Sequence, residues 1–180
     1  FSLVCRFNSQ PARYIHPDRV TELAGPELLS RLRVSNRGAR RLSEWITTRF
    51  ELDSAGFWDF RDERRRLALL DGDTLQALIS LAGAAVSHQQ IAKVIDRDGQ
   101  RRLKESLGER LYLFAVKRAQ FLLRNIPEEL SEPLRDDPAG QLREIGGRCL
   151  SVCLADQPDE LVKRFELKFP PGFTLGSQTH

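Results

Sequence analysis

Three histidines and three cysteines are the side chains of this 180-residue chain that could bind a metal ion or act as nucleophiles. His16, His88 and His180 lie far apart, and none is four residues from another. Cys149 and Cys153 would share one face of a helix, where they could supply two zinc ligands. No second pair closes such a site, so we expect both cysteines to be small buried apolar residues. We therefore predict no metal, no disulfide and a reducing compartment.

Motifs for covalent catalysis and for cofactor binding are missing from the sequence. There is no G-x-S-x-G pattern, no G-x-x-x-x-G-K phosphate loop and no G-x-G-x-x-G dinucleotide motif. Paired carboxylates occur at Glu128-Glu129 and Asp136-Asp137, within an acidic stretch, 125–140, that holds three prolines. A loop of this composition offers no apolar surroundings to raise a carboxyl pKa. We therefore expect a protein that is not an enzyme, has no catalytic residue and binds no cofactor.

Composition and helical periodicity indicate an ordinary folded helical protein. Hydrophobic residues make up 41% of the chain and charged residues 29%, which excludes a disordered or fibrous class. Methionine is absent, even at position 1, so we expect the chain to be a piece of a longer product. We predict an all-α fold, a compact single-domain bundle of six to eight helices over 1–169, with a short extended segment at 1–14 and a polar tail at 170–180.

Apolar spacing and turn signals give approximate positions for these helices. Ser35 or Asn36 is placed to cap one helix and Asp73 to cap another. A joint is expected at Gly108, and Gly146-Gly147 indicates a close helix crossing or a kink. The predicted segments are 18–24, 27–34, 36–52, 74–86, 89–95, 100–124, 139–155 and, as a short helix or strand, 159–169.

The most apolar stretch is Leu67–Val86, and it holds Asp71 and Asp73 near one end. Two carboxylates with a glycine between them favour a loop and a shorter core helix over a membrane span. We expect Leu75–Val86 to pack against Leu111–Leu123 at the centre of the core, because both segments are nearly uncharged.

Charge is unevenly distributed along the chain, although its formal net value is only +3. Residues 31–66 hold ten arginines and six acidic side chains, and residues 97–124 hold eight basic and three acidic ones. Residues 125–160 hold three basic and nine acidic side chains. Faces of opposite sign are typical of proteins that bind charged partners.

The best candidate for a partner-binding surface is the polar face of the predicted 36–52 helix. Arg37, Arg40 and Arg41 lie opposite its apolar residues, so they do not serve the core. Arginine's planar fork suits bidentate contact with carboxylates of an acidic protein partner. The aromatic loop that follows supplies a candidate apolar anchor, Trp58.

Nucleic-acid binding is the alternative interpretation of these arginines. A basic body can bind phosphates, and 75–95 is compatible with a helix-turn-helix. However, the second helix of that segment carries Lys93 as its one basic group, whereas a recognition helix needs several contacts to bases and phosphates. The alternative is a nucleic-acid-binding regulatory protein that uses arginine-rich helix faces.

Four short segments, in order along most of the chain, resemble the accessory protein of type III secretion known as SctK, the YscK/PscK family. They are Arg6-Phe7-Asn8-x-x-Pro11-x-x-Tyr14-Ile15-His16-Pro17-x-Arg19, then Leu67-Ala68-Leu69-Leu70 with Leu75-x-x-Leu78 and Leu81-Ala82-Gly83, then Leu107-Gly108-Glu109-x-x-Tyr112-x-Phe114-Ala115, and finally Arg164-Phe165-x-Leu167-Lys168-Phe169-Pro170.

The resemblance implies a mainly helical, non-enzymatic adaptor that is required for effector export. Its implied partners are the pod protein of the sorting platform (SctQ-like) and the forkhead-associated domain of the inner-membrane ring protein (SctD-like). The implied location is the cytoplasm, at the cytosolic face of the inner membrane, with no membrane insertion and no nucleic acid. No catalytic residues are carried over.

We term these four stretches the signature segments. Five residues of the first segment, which we term the signature residues, also have structural interpretations. Pro11 and Pro17 would set the entry into the first helix, and Tyr14 would bury its ring with the hydroxyl near water. His16 would lie beside an N-cap or bond to backbone, and Arg19 completes the signature. We expect these five to serve mainly the geometry of the chain.

Overall fold

The computed structural model describes residues 2–21, 25–123 and 132–172, and all regular structure within these ranges is helical. Short 3-10 helices lie at Pro11–Arg13, Pro17–Arg19 and Leu67–Leu69. The all-α prediction is confirmed. The α-helices of the described residues are α1 Ser2–Ser9, α2 Pro26–Val34, α3 Asn36–Arg49, α4 Glu63–Arg66, α5 Gly72–Val86, α6 His88–Ala92, α7 Arg97–Leu107, α8 Glu109–Lys117, α9 Ala119–Leu122, α10 Pro138–Leu154 and α11 Asp159–Glu166.

The N-terminal segment is a helix, so the predicted extended segment at 1–14 is wrong. Phe7 is buried and Val4 is half-buried, and this spacing of three places both on one face of α1. The backbone N–H of Gln10 still donates to the carbonyl of Arg6 at 2.9 Å, and Pro11 then begins a 3-10 helix. The imperfect alternation of the sequence concealed this helical face.

Helix α3 forms where the sequence predicts it. Ser35 is the N-cap, and its hydroxyl accepts a hydrogen bond from the backbone N–H of Gly38 at 3.3 Å. Ala39, Leu42 and Ile46 are buried on the apolar face of the helix. Asp73, by contrast, lies in the first turn of α5, which already begins at Gly72, so its predicted role as the N-cap is wrong.

The predicted long helix over 100–124 is three helices. Gly108 has a φ of 76°, a left-handed conformation that favours glycine, and it separates α7 from α8. Tyr112, Ala115 and Ala119 are buried, whereas Phe121 and Leu122 are 73% and 65% exposed. The last turn therefore does not belong to the core, contrary to the sequence-based expectation.

Contacts between backbone positions divide the chain into two compact units, Phe1–Gly72 with Cys153–His180 and Asp73–Val152. The first unit buries a cluster to which α2, α3 and the 11–20 region contribute, with Leu29, Leu42, Ile46 and Leu167 among its members. Residues 22–24 of the predicted 18–24 helix and residues 173–180 of the predicted tail lie outside the described residues. The single domain over 1–169 stays a prediction.

The second unit buries a cluster that joins five of its helices. Its members are Ala84 of α5, Ile91 of α6, Leu103 of α7, Tyr112 and Ala115 of α8, and Leu142 of α10. Ala84 of α5 belongs to the same buried cluster as Tyr112 and Ala115 of α8, which come from the two segments that the sequence places at the centre of the core. Helix α8 packs against α6 and α7.

Two glycines let α5 and α10 cross closely within the second unit. A Cβ atom on Gly146 would fall well inside van der Waals contact of the Ile79 carbonyl oxygen, and one on Gly83 would collide with the carbonyl of Leu142. Of the two interpretations of Gly146-Gly147, a close crossing or a kink, the close crossing is confirmed at Gly146.

We expect Gly146→Ala to destabilise the protein by about 1–3 kcal/mol, because the added methyl group meets rigid backbone. This net loss already allows for the gain of about 1 kcal/mol that alanine normally brings to a helix interior. Urea denaturation measures the difference. Gly72→Ala is the matched control, since no atom lies within 4 Å of a Cβ at that position. Equal stability of the two variants would contradict the close crossing.

Candidate partner-binding site

The first and last signature segments lie against each other in the first unit. The backbone N–H of His16 donates to the Leu167 carbonyl at 2.6 Å. Arg19 donates from Nε to the Phe169 carbonyl at 2.6 Å and from Nη2 to the Pro170 carbonyl at 3.2 Å. The signature therefore joins segments that are about 150 residues apart in the sequence.

The other signature residues make local backbone contacts. Pro11 and Pro17 each begin a 3-10 helix, and His16 caps the second one through Nδ1, which accepts from the Asp18 N–H at 3.3 Å. Tyr14 donates its hydroxyl to the Phe7 carbonyl at 2.8 Å. Burial raises the pKa of Tyr14 above its usual range.

Lys168 is a buried cation, with only 6% of its surface exposed. Its ammonium group donates to the carbonyls of Ala68, at 2.6 Å, and Leu70. It also lies 5.7 Å from the ring centroid of Phe7 and 5.1 Å from that of Tyr14. Burial lowers the pKa of Lys168 from 10.5 to about 8, although the negative charge of Asp71 acts to raise it.

Arg164 is a second buried cation, 1% exposed. It donates to the Asp53 carbonyl through Nη2 and to Asn8 Oδ1 through Nε at 3.4 Å. The Asn8 amide in turn donates to the Phe57 carbonyl at 2.7 Å and accepts from the Phe57 N–H at 2.8 Å. Burial lowers the pKa of Arg164.

The sequence analysis did not predict that Lys168 and Arg164 are buried, because lysine and arginine are rarely buried without a partner. The available signal was their spacing. Leu161 and Phe165 are buried residues of α11, and Arg164 lies three residues after Leu161 on the same side of the helix. A cation within an apolar stripe is the pattern that could have revealed it.

The structure brings together the three arginines that the sequence selects. Arg37, Arg40 and Arg41 are exposed and line one surface depression with Asn36 and Glu44. Arg40 Nε lies 3.0 Å from Glu44 Oε1, an exposed i, i+4 pair that adds little to stability. This surface, which we term the arginine face, is therefore available to a partner.

The aromatic loop exposes one of its three rings. Trp58 is 54% exposed, and its indole N–H donates to the Ala55 carbonyl at 2.7 Å. Phe57 and Phe60 are half-buried and meet edge to face, with centroids 5.3 Å apart. Trp58 thus presents an oriented apolar ring.

No metal centre is found in the described part of the chain, where no three His, Cys, Asp or Glu side chains are grouped to hold an ion. Cys149 is half-buried and Cys153 is exposed, so the expectation that both are buried is wrong. His180 and Glu128-Glu129 lie outside the described residues. In the same ranges, no helix is long and apolar enough to cross a membrane.

The described residues define an all-helical protein with an exposed arginine face and a buried network of side-chain contacts to backbone. The model of the YscK family, the YOP proteins translocation protein K, matches residues 4–180. The chain belongs to this family, and the resemblance read from its motifs is confirmed.

The fold is similar to a solved structure, that of the cytoplasmic domain of the T3SS sorting platform protein PscK from P. aeruginosa. The TM-score is 0.58 at 23% sequence identity, and the match covers 92% of this chain and 80% of that chain. At this identity the likeness shows the fold alone. A search among curated proteins finds no match.

We expect Lys168 to make stability rise with pH between about 8 and 10.5. The folded state holds this proton less tightly than the unfolded chain, so the unfolded chain binds more protons in that window. The wild type should gain about 1–3 kcal/mol relative to Lys168→Met as the pH rises from 7.5 to 10.5. Urea denaturation at several pH values measures this gain.

Lys163→Met is the control for the pH experiment, because Lys163 is an exposed residue of α11. The free energy of unfolding of Lys163→Met should change with pH in the same way as that of the wild type. A constant difference between the wild type and Lys168→Met across the pH range would contradict the lowered pKa.

Proposed function

We propose that this protein is a non-enzymatic cytosolic adaptor of a bacterial type III secretion system. It links the pod protein of the sorting platform (SctQ-like) to the forkhead-associated domain of the inner-membrane ring protein (SctD-like), and effector export requires it. The observation that carries the proposal is the family match over 4–180. The absence of catalytic and cofactor motifs from the sequence supports a role in binding.

The arginine face is the proposed docking surface for one of these partners. Its three guanidinium groups lie on the exposed side of α3, whose opposite side is held in the core by Leu42 and Ile46. A surface of this kind attracts an acidic partner and accelerates association, while apolar contacts set the residence time. We assign the apolar role to Trp58.

The proposed location follows from the partners. Binding to the ring protein holds the adaptor at the cytosolic face of the inner membrane without insertion of its own chain. The signature residues Pro11, Tyr14, His16, Pro17 and Arg19 are proposed to preserve the fold rather than touch a partner. Pro11 and Pro17 begin 3-10 helices, His16 caps one of these helices, and Tyr14 and Arg19 donate to backbone carbonyls.

Replacing Arg37, Arg40 and Arg41 by glutamate should slow association with the acidic partner by about tenfold or more. Helical circular dichroism and the melting temperature should remain unchanged, since the three side chains are exposed. Biosensor kinetics with the purified pod protein and forkhead-associated domain, at low and high salt, measure the effect. Secretion in a complemented deletion strain should fall in parallel.

The matched control replaces Arg97, Arg102 and Arg110, which are exposed on α7 and α8, by glutamate and so changes the net charge equally. It should bind and secrete as the wild type does. If the α3 variant folds and secretes normally, the site assignment is wrong while the adaptor role stands. If the wild type binds neither partner but binds duplex DNA with a steep salt dependence, the adaptor role is wrong.

Trp58→Ala should raise the dissociation rate of the complex by about 10- to 100-fold and leave the association rate nearly unchanged. Phe121→Ala, at another largely exposed aromatic residue, is the control and should change neither rate. An unchanged dissociation rate for Trp58→Ala would contradict the anchor role.

A further inference from the structure

A polar cleft in the first unit lies beside the buried guanidinium group of Arg164. The cleft is open to solvent, has a volume of about 520 Å³ and is lined by residues of α1, α3, the loop after α3, and α11. Its lining is notable for hydroxyl groups, which belong to Ser9, Ser43, Thr47, Thr48 and Ser54.

The charge of Arg164 is only partly compensated by the described residues. Two of its nitrogens donate to neutral oxygens, those of Asp53 and Asn8. The third, Nη1, is buried and has no hydrogen-bond acceptor in the described part of the chain. Asp53 and Glu160 act on the group electrostatically, but neither forms an ion pair with it there. Burial of such a cation is unfavourable unless an anion lies against it.

Hydrogen-bond donors remain available in the cleft. The hydroxyls of Ser9, Ser43 and Thr48 donate to carbonyls within their own helices. Those of Thr47 and Ser54 make no hydrogen bond within the described residues. Arg40 also lines the cleft, so two arginine residues and two available hydroxyls border one space.

We propose that this cleft is a binding site for one carboxylate group, supplied by an aspartate or glutamate side chain of a bound protein. A carboxylate is a planar acceptor that matches the fork of an arginine. Glu44, which pairs with Arg40, also lines the cleft. Its negative charge repels a ligand that carries two negative charges more strongly than a ligand that carries one. A singly charged carboxylate therefore suits the site better than a phosphate dianion.

The proposal rests on the proposed function only for the source of the carboxylate. Arg40 belongs both to the arginine face and to the lining of the cleft. An acidic segment that approaches the arginine face can therefore place one carboxylate in the cleft, where Arg164 adds to its binding. The exposed arginines then attract the acidic segment, and the buried Arg164 afterwards holds one of its carboxylates, within a single interface.

The test uses sodium acetate as the probe, against sodium chloride at equal ionic strength. The Nε–H signal of Arg164, followed by NMR in arginine-labelled protein and assigned with Arg164→Lys, should shift and saturate with acetate. Near ten times the dissociation constant, acetate should also raise the melting temperature by roughly 3–6 °C. No shift, or equal shifts at all arginines, overturns the site. Saturation with sodium phosphate alone overturns the carboxylate assignment.

A pair of variants keeps the test independent of whether Arg164 variants fold. Thr47→Glu places a carboxylate in the cleft from α3, whereas Thr47→Gln places an uncharged group of the same shape there. The glutamate variant should melt higher than the glutamine variant and lose the response to acetate. A glutamate variant that melts no higher overturns the proposal. These measurements need neither partner, so a failed adaptor role would leave them unaffected.

Discussion

The first unit depends on two cations that are buried four residues apart near the end of the described chain. Arg164 holds the Asp53 carbonyl and the Asn8 side chain, and Lys168 holds the carbonyls of Ala68 and Leu70. A charge removed from water must recover its hydration through several polar contacts. Here those contacts come mainly from the backbone, so the two cations fix three distant segments at once.

The same residue type serves opposite purposes in this unit. Arg164 is enclosed and orders the chain around it, whereas Arg37 and Arg41 extend into solvent from a helix that the core already holds. Because the buried cations supply the long-range order, the exposed arginines are not needed for stability. A charged face of this kind can vary in its chemistry without loss of the fold, as a docking surface requires.

The sequence predicts those elements whose signals are local. Helix α3 has a capping serine, a continuous apolar stripe and a clear end, and all three act within the helix itself. Helix α1 was missed because its helical face is set by contacts to residues far along the chain, such as the ring contact between Phe7 and Phe60. The exposure of Phe121 was missed for the same reason, since periodicity shows a face but not what covers it. The arginine face was found because exposure opposite an apolar stripe is a local property, while the burial of Arg164 is not.

The nature of the signature contacts explains why the family could be read from short, interrupted motifs. Arg19 donates to the carbonyls of Phe169 and Pro170, and Tyr14 donates to that of Phe7. A bond from a side chain to the backbone specifies the residue at one end only, because every residue carries a carbonyl group. A donor of this kind can therefore stand alone in the sequence, with residues of other types on either side of it. Order along the chain carries information that any single motif lacks, because Arg19 of the first segment must reach Phe169 and Pro170 of the last one, about 150 residues away.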